Sequence, residues 1–160
     1  AELLSGPQSL LHRDYMLDNL MFKNGRVRVI DFQDALIGPL AYDLACLLYD
    51  RDASALLGPE LIEHFIEFYP RAYEERSGER LDPREWRRCF ELCVIHRLLK
   101  VVGRFHFIDQ VKKRPEFLRF IPFMLPAIAD YLGRDEKHRG LLDIIARHLP
   151  EPARLVPAKA

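Results

Sequence analysis

The chain has 160 residues, 49% of them hydrophobic and 30% charged, with 24 Lys+Arg against 24 Asp+Glu. This is the profile of one soluble globular domain and excludes a disordered, collagenous or coiled-coil chain; a chain of this length buries about two thirds of its unfolded surface and needs no disulfide or metal staple. The neutral total gives no global attraction to nucleic acid or anionic lipid, and the absence of a long apolar run or a signal-like start predicts neither a membrane span nor export, hence a cytoplasmic protein.

In chain order, the segment starts at Ala1 rather than Met and runs almost at once into its most informative stretch, as a piece of a longer protein would. Residues 11–39 are dense in polar residues and short β-like runs, whereas 40–149 read as successive helices; the whole, 1–160, is expected to be one unit. Leu20 to Lys23 and Arg26 to Ile30 flank Asn24-Gly25, a strong two-residue hairpin signal. With Lys23 opposite Arg26, Phe22 faces Val27, Leu20 faces Val29 and Asn19 faces Ile30. Opposed Cα atoms lie roughly 4.5 to 5.5 Å apart, so the ribbon returns Asp31 to the side of Asn19.

Pro39 and Leu40 open a helical pattern whose apolar residues are Leu40, Leu44, Leu47 and Leu48. Gly58-Pro59-Glu60 starts another, with Leu61, Ile62, Phe65 and Ile66 inward and Pro70 kinking or ending it. Asp82-Pro83-Arg84-Glu85 is a helix start, and the helix, expected to reach about Phe107, is apolar at Trp86, Phe90, Val94, Leu98 and Val102. Phe117 to Leu132 carries Pro122 and Pro126 and should be kinked or split before Gly133, and Leu141 to Leu149 is the last helix. Cys46, Cys89 and Cys93 are an odd set without CxxC and read as buried reduced thiols.

The chemistry gathers in His12-Arg13-Asp14-Tyr15-Met16-Leu17-Asp18-Asn19 and, through the hairpin, Asp31-Phe32. Phosphoryl transfer needs a carboxylate aimed at the attacking hydroxyl and hard oxygen ligands for Mg²⁺ on the nucleotide phosphates; Asp14 fits the first role, Asn19 and Asp31 the second. Asp and Asn are also common in polar loops because they favour turns and caps, but the spacing that brings Asp31 back to Asn19 favours function. His12 is expected to hold the loop by hydrogen bonding. Arg13 reads equally as a partner of a carboxylate or phosphate and as a solvated side chain. Asp18 and Asp34 sit behind the ligands or serve as turn residues, and Asp43 reads as a brace accepting hydrogen bonds. Arg97, Lys100 and Arg104 recur along one helix face, either solvated or facing an anionic substrate.

The run HRDYMLDN followed by VIDFQDALIGPLAYDLACLL resembles the C-terminal lobe of the aminoglycoside phosphotransferase-like kinases, with Asp-Phe-Gln where protein kinases have Asp-Phe-Gly. FQDALIGPLAYDL, HRLLKVVGRF and PEFLRFIPFML are most similar to the anomeric N-acetylmuramate/N-acetylglucosamine kinases. The resemblance implies an α+β, mostly α fold, a protein-kinase-like C-terminal lobe with one short β-hairpin carrying the catalytic and metal loops. It implies Asp14 as catalytic base, Asn19 and Asp31 as Mg²⁺ ligands, ATP as co-substrate and the anomeric hydroxyl of an amino sugar as acceptor. The alternatives are an aminoglycoside, choline or other metabolite kinase of the same fold, and a non-catalytic kinase-like binding domain. The family's N-terminal, ATP-covering lobe has no counterpart here, so this segment alone is expected to be inactive and to expose apolar surface around the hairpin, where it could self-associate.

Overall fold

The Asn24-Gly25 turn forms as the sequence reads: both residues have positive φ (53° and 72°), the geometry a two-residue hairpin needs. In this computed structural model, which describes residues 3, 6–50 and 53–148, β2 (Leu20–Lys23) pairs with β3 (Arg26–Val29) in the register expected, Leu20 opposite Val29 and Lys23 opposite Arg26. The Ile30 N–H donates to the Asn19 carbonyl at 3.0 Å and extends the ribbon by one pair.

The hairpin is not the only β structure. β1 (Gln8–Leu11) pairs antiparallel with β4 (Leu36–Pro39), so two separate two-stranded sheets replace the single hairpin expected. The second pairing joins segments some 25 residues apart and has no turn signal to announce it. Its tightest point is Gly38 opposite Ser9: a Cβ there would stand 2.6 Å from Leu11 Cδ1, and Leu11 is buried. β1 and β4 thus clamp the two ends of the segment from His12 to Ala35 and make it one excursion.

Contacts divide the chain into residues 1–94 and 95–160, a boundary inside α3. In the first unit, α1 (Tyr42–Leu48) starts two residues later than Leu40 and buries Tyr42, Ala45, Cys46 and Leu48. Leu44 and Leu47, expected inward, are half-buried. They line an apolar cavity of about 300 Å³ together with Leu17, Leu20 and Phe65. α2 (Ala53–Ser77) is bent at Gly58 (φ 72°), so its second piece begins at Pro59 as expected. Ile62 and Ile66 are buried, but Leu61 is exposed.

Pro70 does not end α2. A proline removes the N–H that would bond the carbonyl four residues back; that carbonyl, on Ile66, accepts from the Trp86 indole Nε1 at 2.8 Å, and Trp86 stacks on Tyr69 at 4.7 Å. α3 (Pro83–Lys112) is capped by Asp82, whose Oδ1 accepts from the N–H groups of Arg84 and Glu85 at 2.9 and 3.0 Å. Trp86, Phe90 and Val94 are buried as expected, each large side chain contributing about 1.5–3 kcal/mol by the apolar area removed from water.

In the second unit, α3 runs five residues past Phe107 and closes at Lys113, which takes φ 55° and donates its N–H to the Asp109 carbonyl at 3.0 Å. The proline-rich stretch splits into a 3₁₀ turn (Pro115–Phe120) and α4 (Ile121–Gly133), which buries Met124, Leu125, Ile128 and Leu132 and packs on α5 (Glu136–His148). α5 begins five residues before Leu141; the expected end at Leu149 lies outside the described residues.

Candidate active site

The excursion is fixed by hydrogen bonds rather than by burial. Asp43, in the first turn of α1, accepts from the His12 N–H through Oδ2 at 2.6 Å and from the Arg13 N–H through Oδ1 at 2.9 Å. Arg13 has φ 73°, a conformation L side chains rarely adopt. Three bonds hold it there: the Asp43 carboxylate on its N–H, the Cys46 thiol donating to its carbonyl at 3.4 Å, and its own Nη1 donating to the Asp34 carbonyl at 3.2 Å. Such over-determination is what lets a strained backbone persist at a site. Arg13 therefore meets the Asp43 carboxylate through its backbone and a main-chain carbonyl through its guanidinium, and Asp34 contributes that carbonyl.

His12 ties the start of the excursion to the end of the hairpin: Nε2 donates to the Ile30 carbonyl at 2.8 Å, and the ring meets Tyr15 edge-on at 6.0 Å. The carbonyl can only accept, so Nε2 carries a proton and donates it, while Nδ1 is buried with no hydrogen-bond partner among the described residues. Asn19, closing a 3₁₀ turn, donates from Nδ2 to the Asp14 carbonyl at 2.8 Å. Asp31 has φ 68° and accepts at Oδ1 from Gln33 Nε2 at 2.9 Å. The fold thus places Asp14, Asn19 and Asp31 around one junction, where Asn19 bonds both the Asp14 backbone and, through its own carbonyl, Ile30. Nearby on α2, burial and the Asp43 carboxylate push the Tyr69 phenol above its ordinary range.

The donor chemistry suits Mg²⁺. Asn19 uses its amide N–H on Asp14 and keeps Oδ1, and Asp31 keeps a carboxylate oxygen beyond the one Gln33 holds. Among the described residues no group of three or more His, Cys, Asp and Glu could hold a metal by itself. Asn19 Oδ1 and the Asp31 carboxylate are hard oxygen donors of the kind that Mg²⁺ prefers.

Two positions escaped the sequence reading. Cys46 braces the Arg13 carbonyl, and its place three residues after Asp43, on the same face of α1, is the signal that could have found it. Gln33 orients Asp31. The stripe of Arg97, Lys100 and Arg104 does not act as one face: Arg97 is 5% exposed, whereas Lys100 and Arg104 are exposed. No helix among the described residues is long and apolar enough to cross a membrane.

Residues 1–87 match the model of the phosphotransferase enzyme family. Three curated relatives are each named N-acetylmuramate/N-acetylglucosamine kinase. That of Neisseria meningitidis serogroup B is 40% identical over 129 residues, 76% of this chain and 37% of that protein. That of Pseudomonas putida is 31% identical over 144 residues, 89% of this chain and 42% of that protein. That of Pseudomonas aeruginosa is 35% identical over 154 residues, 94% and 44% respectively. The chain thus spans less than half the length of these relatives. With a family match over more than half of its length and a loop of phosphoryl-transfer composition at its N-terminal end, the chain belongs to the phosphotransferase enzyme family.

Proposed function

We propose that this chain is the catalytic lobe of an ATP-dependent small-molecule kinase that transfers the γ-phosphate to the anomeric hydroxyl of N-acetylmuramate or N-acetylglucosamine in the cytoplasm. The observation that carries the reading is the junction in which Asn19 holds the Asp14 backbone while the hairpin returns Asp31 beside it. The names and coverage of the relatives support the acceptor and a second, N-terminal lobe.

In this reading the acceptor oxygen attacks the γ-phosphorus, the bond to the ADP oxygen breaks, and the Asp14 carboxylate orients the hydroxyl and takes its proton. Asn19 Oδ1 and Asp31 would hold Mg²⁺, which when bound neutralises phosphate charge. His12 and Asp43 act on position alone: one ties Asp14's loop to the hairpin, the other fixes the backbone just before it. The N-terminal lobe would cover the apolar residues of the hairpin, where Phe22 is 77% exposed.

The test is phosphorus NMR of this chain joined to that lobe, with Mg-ATP and either sugar, beside Asp14→Asn and an aminoglycoside control. A sugar 1-phosphate signal that falls about 10²–10⁴-fold in Asp14→Asn supports the reading. Turnover of the aminoglycoside alone reassigns the acceptor, and no turnover of any acceptor favours a non-catalytic binding domain. The 160 residues by themselves should show negligible turnover.

A further inference from the structure

The three thiols gather where α1 and α3 carry them, and they are not equivalent. Cys46 is buried and occupied by the Arg13 carbonyl. Cys93 is buried on α3. Cys89, one turn earlier, is partly exposed and lies on the wall of a cleft of about 80 Å³ with Pro7, Arg80 and Trp86, space enough for a molecule the size of water or hydrogen peroxide.

Cys93 follows Cys89 by one helical turn, so the two side chains share a face of α3. Hydrogen bonding toward Cys93, against burial and with help from the Ala41 backbone, lowers the Cys89 thiol to about 7. The same bond and burial push Cys93 up, which keeps it protonated as the donor. Asp82 and Glu85 also line the cleft and offset Arg80, so the lowering at Cys89 does not come from a net positive field. Redox-sensing cysteines are accessible thiols of lowered pKa that often sit beside a resolving cysteine, and Cys89, partly exposed and one turn from Cys93, matches that description.

We propose that Cys89 and Cys93 form a hydroperoxide-sensitive dithiol, Cys89 attacking and Cys93 resolving. The Cys89 thiolate attacks one peroxide oxygen, an S–O bond forms, the O–O bond breaks, and hydroxide leaves and is neutralised by the proton that the Cys89 thiol released to the buffer on ionising. The Cys93 sulfur then attacks the Cys89 sulfenic acid; the S–S bond forms, the S–O bond breaks, and water leaves carrying the Cys93 proton. Side chains four apart on a helix have Cβ atoms about 5–6 Å apart, against about 3.8 Å in a disulfide, so the turn from Cys89 to Cys93 must tighten. Cys89 then releases Ala41, two residues before the Asp43 clamp.

The test exposes the reduced 160-residue chain to equimolar hydrogen peroxide and maps its cysteines by peptide mass. The expected result is a Cys89–Cys93 disulfide as the main product with Cys46 still free, and in the unoxidised chain alkylation of Cys89 by iodoacetamide at least about tenfold faster than of the other two. Cys93→Ser should accumulate a dimedone-trapped sulfenic acid at Cys89. Equal alkylation rates, peroxide products spread over all three thiols, or a sulfenic acid that persists on Cys89 while Cys93 is present would each overturn the proposal. The unmutated chain alone decides if the variant does not fold.

Discussion

The excursion from His12 to Ala35 and the helices beneath it are held by opposite means. Every residue from Met21 to Ile37 is exposed, including Phe22 and Phe32, whereas Ala45, Cys46, Phe90, Cys93 and Val94 on α1 and α3 are fully buried. The helices draw their stability from apolar area removed from water, which tolerates small shifts. The excursion has little such area of its own. Its geometry rests on directional bonds from His12, Asn19, Asp43 and Cys46, each made to a backbone group. An exposed loop has no apolar core to shape it, so a few hydrogen bonds, those from Asp43 and Cys46 anchored on α1, set its geometry.

The contrast can be broken from either side. Phe90→Ala should have the largest effect, about 3–5 kcal/mol of stability, because Phe90 is fully buried and the cavity cannot fully collapse; denaturant unfolding measures it, and a cost below about 1 kcal/mol would deny Phe90 its core role. Asp43→Asn should cost about 1.5–3 kcal/mol, since the amide can accept from only one of the two N–H groups. Its signature is local: amide exchange at His12 and Arg13 should speed by about tenfold or more, while Phe90 and Val94 amides change only with global stability. Uniform acceleration would mean that the excursion and helices form one cooperative unit.

Trp86→Phe should cost least, about 1 kcal/mol, by depriving the Ile66 carbonyl of its donor while keeping an aromatic ring against Tyr69. The decisive comparison is the double variant. Pro70→Ala restores a helical N–H for Ile66, so the Trp86→Phe penalty should shrink in that background; strictly additive costs would show that the indole does not stand in for the missing bond.

Much of this was legible along the chain because its causes are local. Asn24-Gly25 sets a hairpin register by backbone geometry alone, and that register returns Asp31 to Asn19. Asp82 and Pro83 start α3 through a cap within three residues, and the stretch after Phe117 falls into two pieces as expected, with Pro122 in the first turn of α4 and Pro126 accommodated inside it. The loop from His12 to Asn19 pointed to phosphoryl-transfer chemistry only when read together with Asp31 beyond the hairpin, because Asp and Asn are common in any polar loop.

What the tertiary structure decided involves partners far apart in sequence. The β1–β4 pairing depends on Gly38 meeting Leu11, the continuity of α2 past Pro70 on an indole sixteen residues later, and the left-handed Arg13 on Asp43 and Cys46 some thirty residues away. A local pattern carries propensity and spacing, but whether a strained residue or an orphaned carbonyl is tolerated depends on the donor or acceptor that packing brings to it.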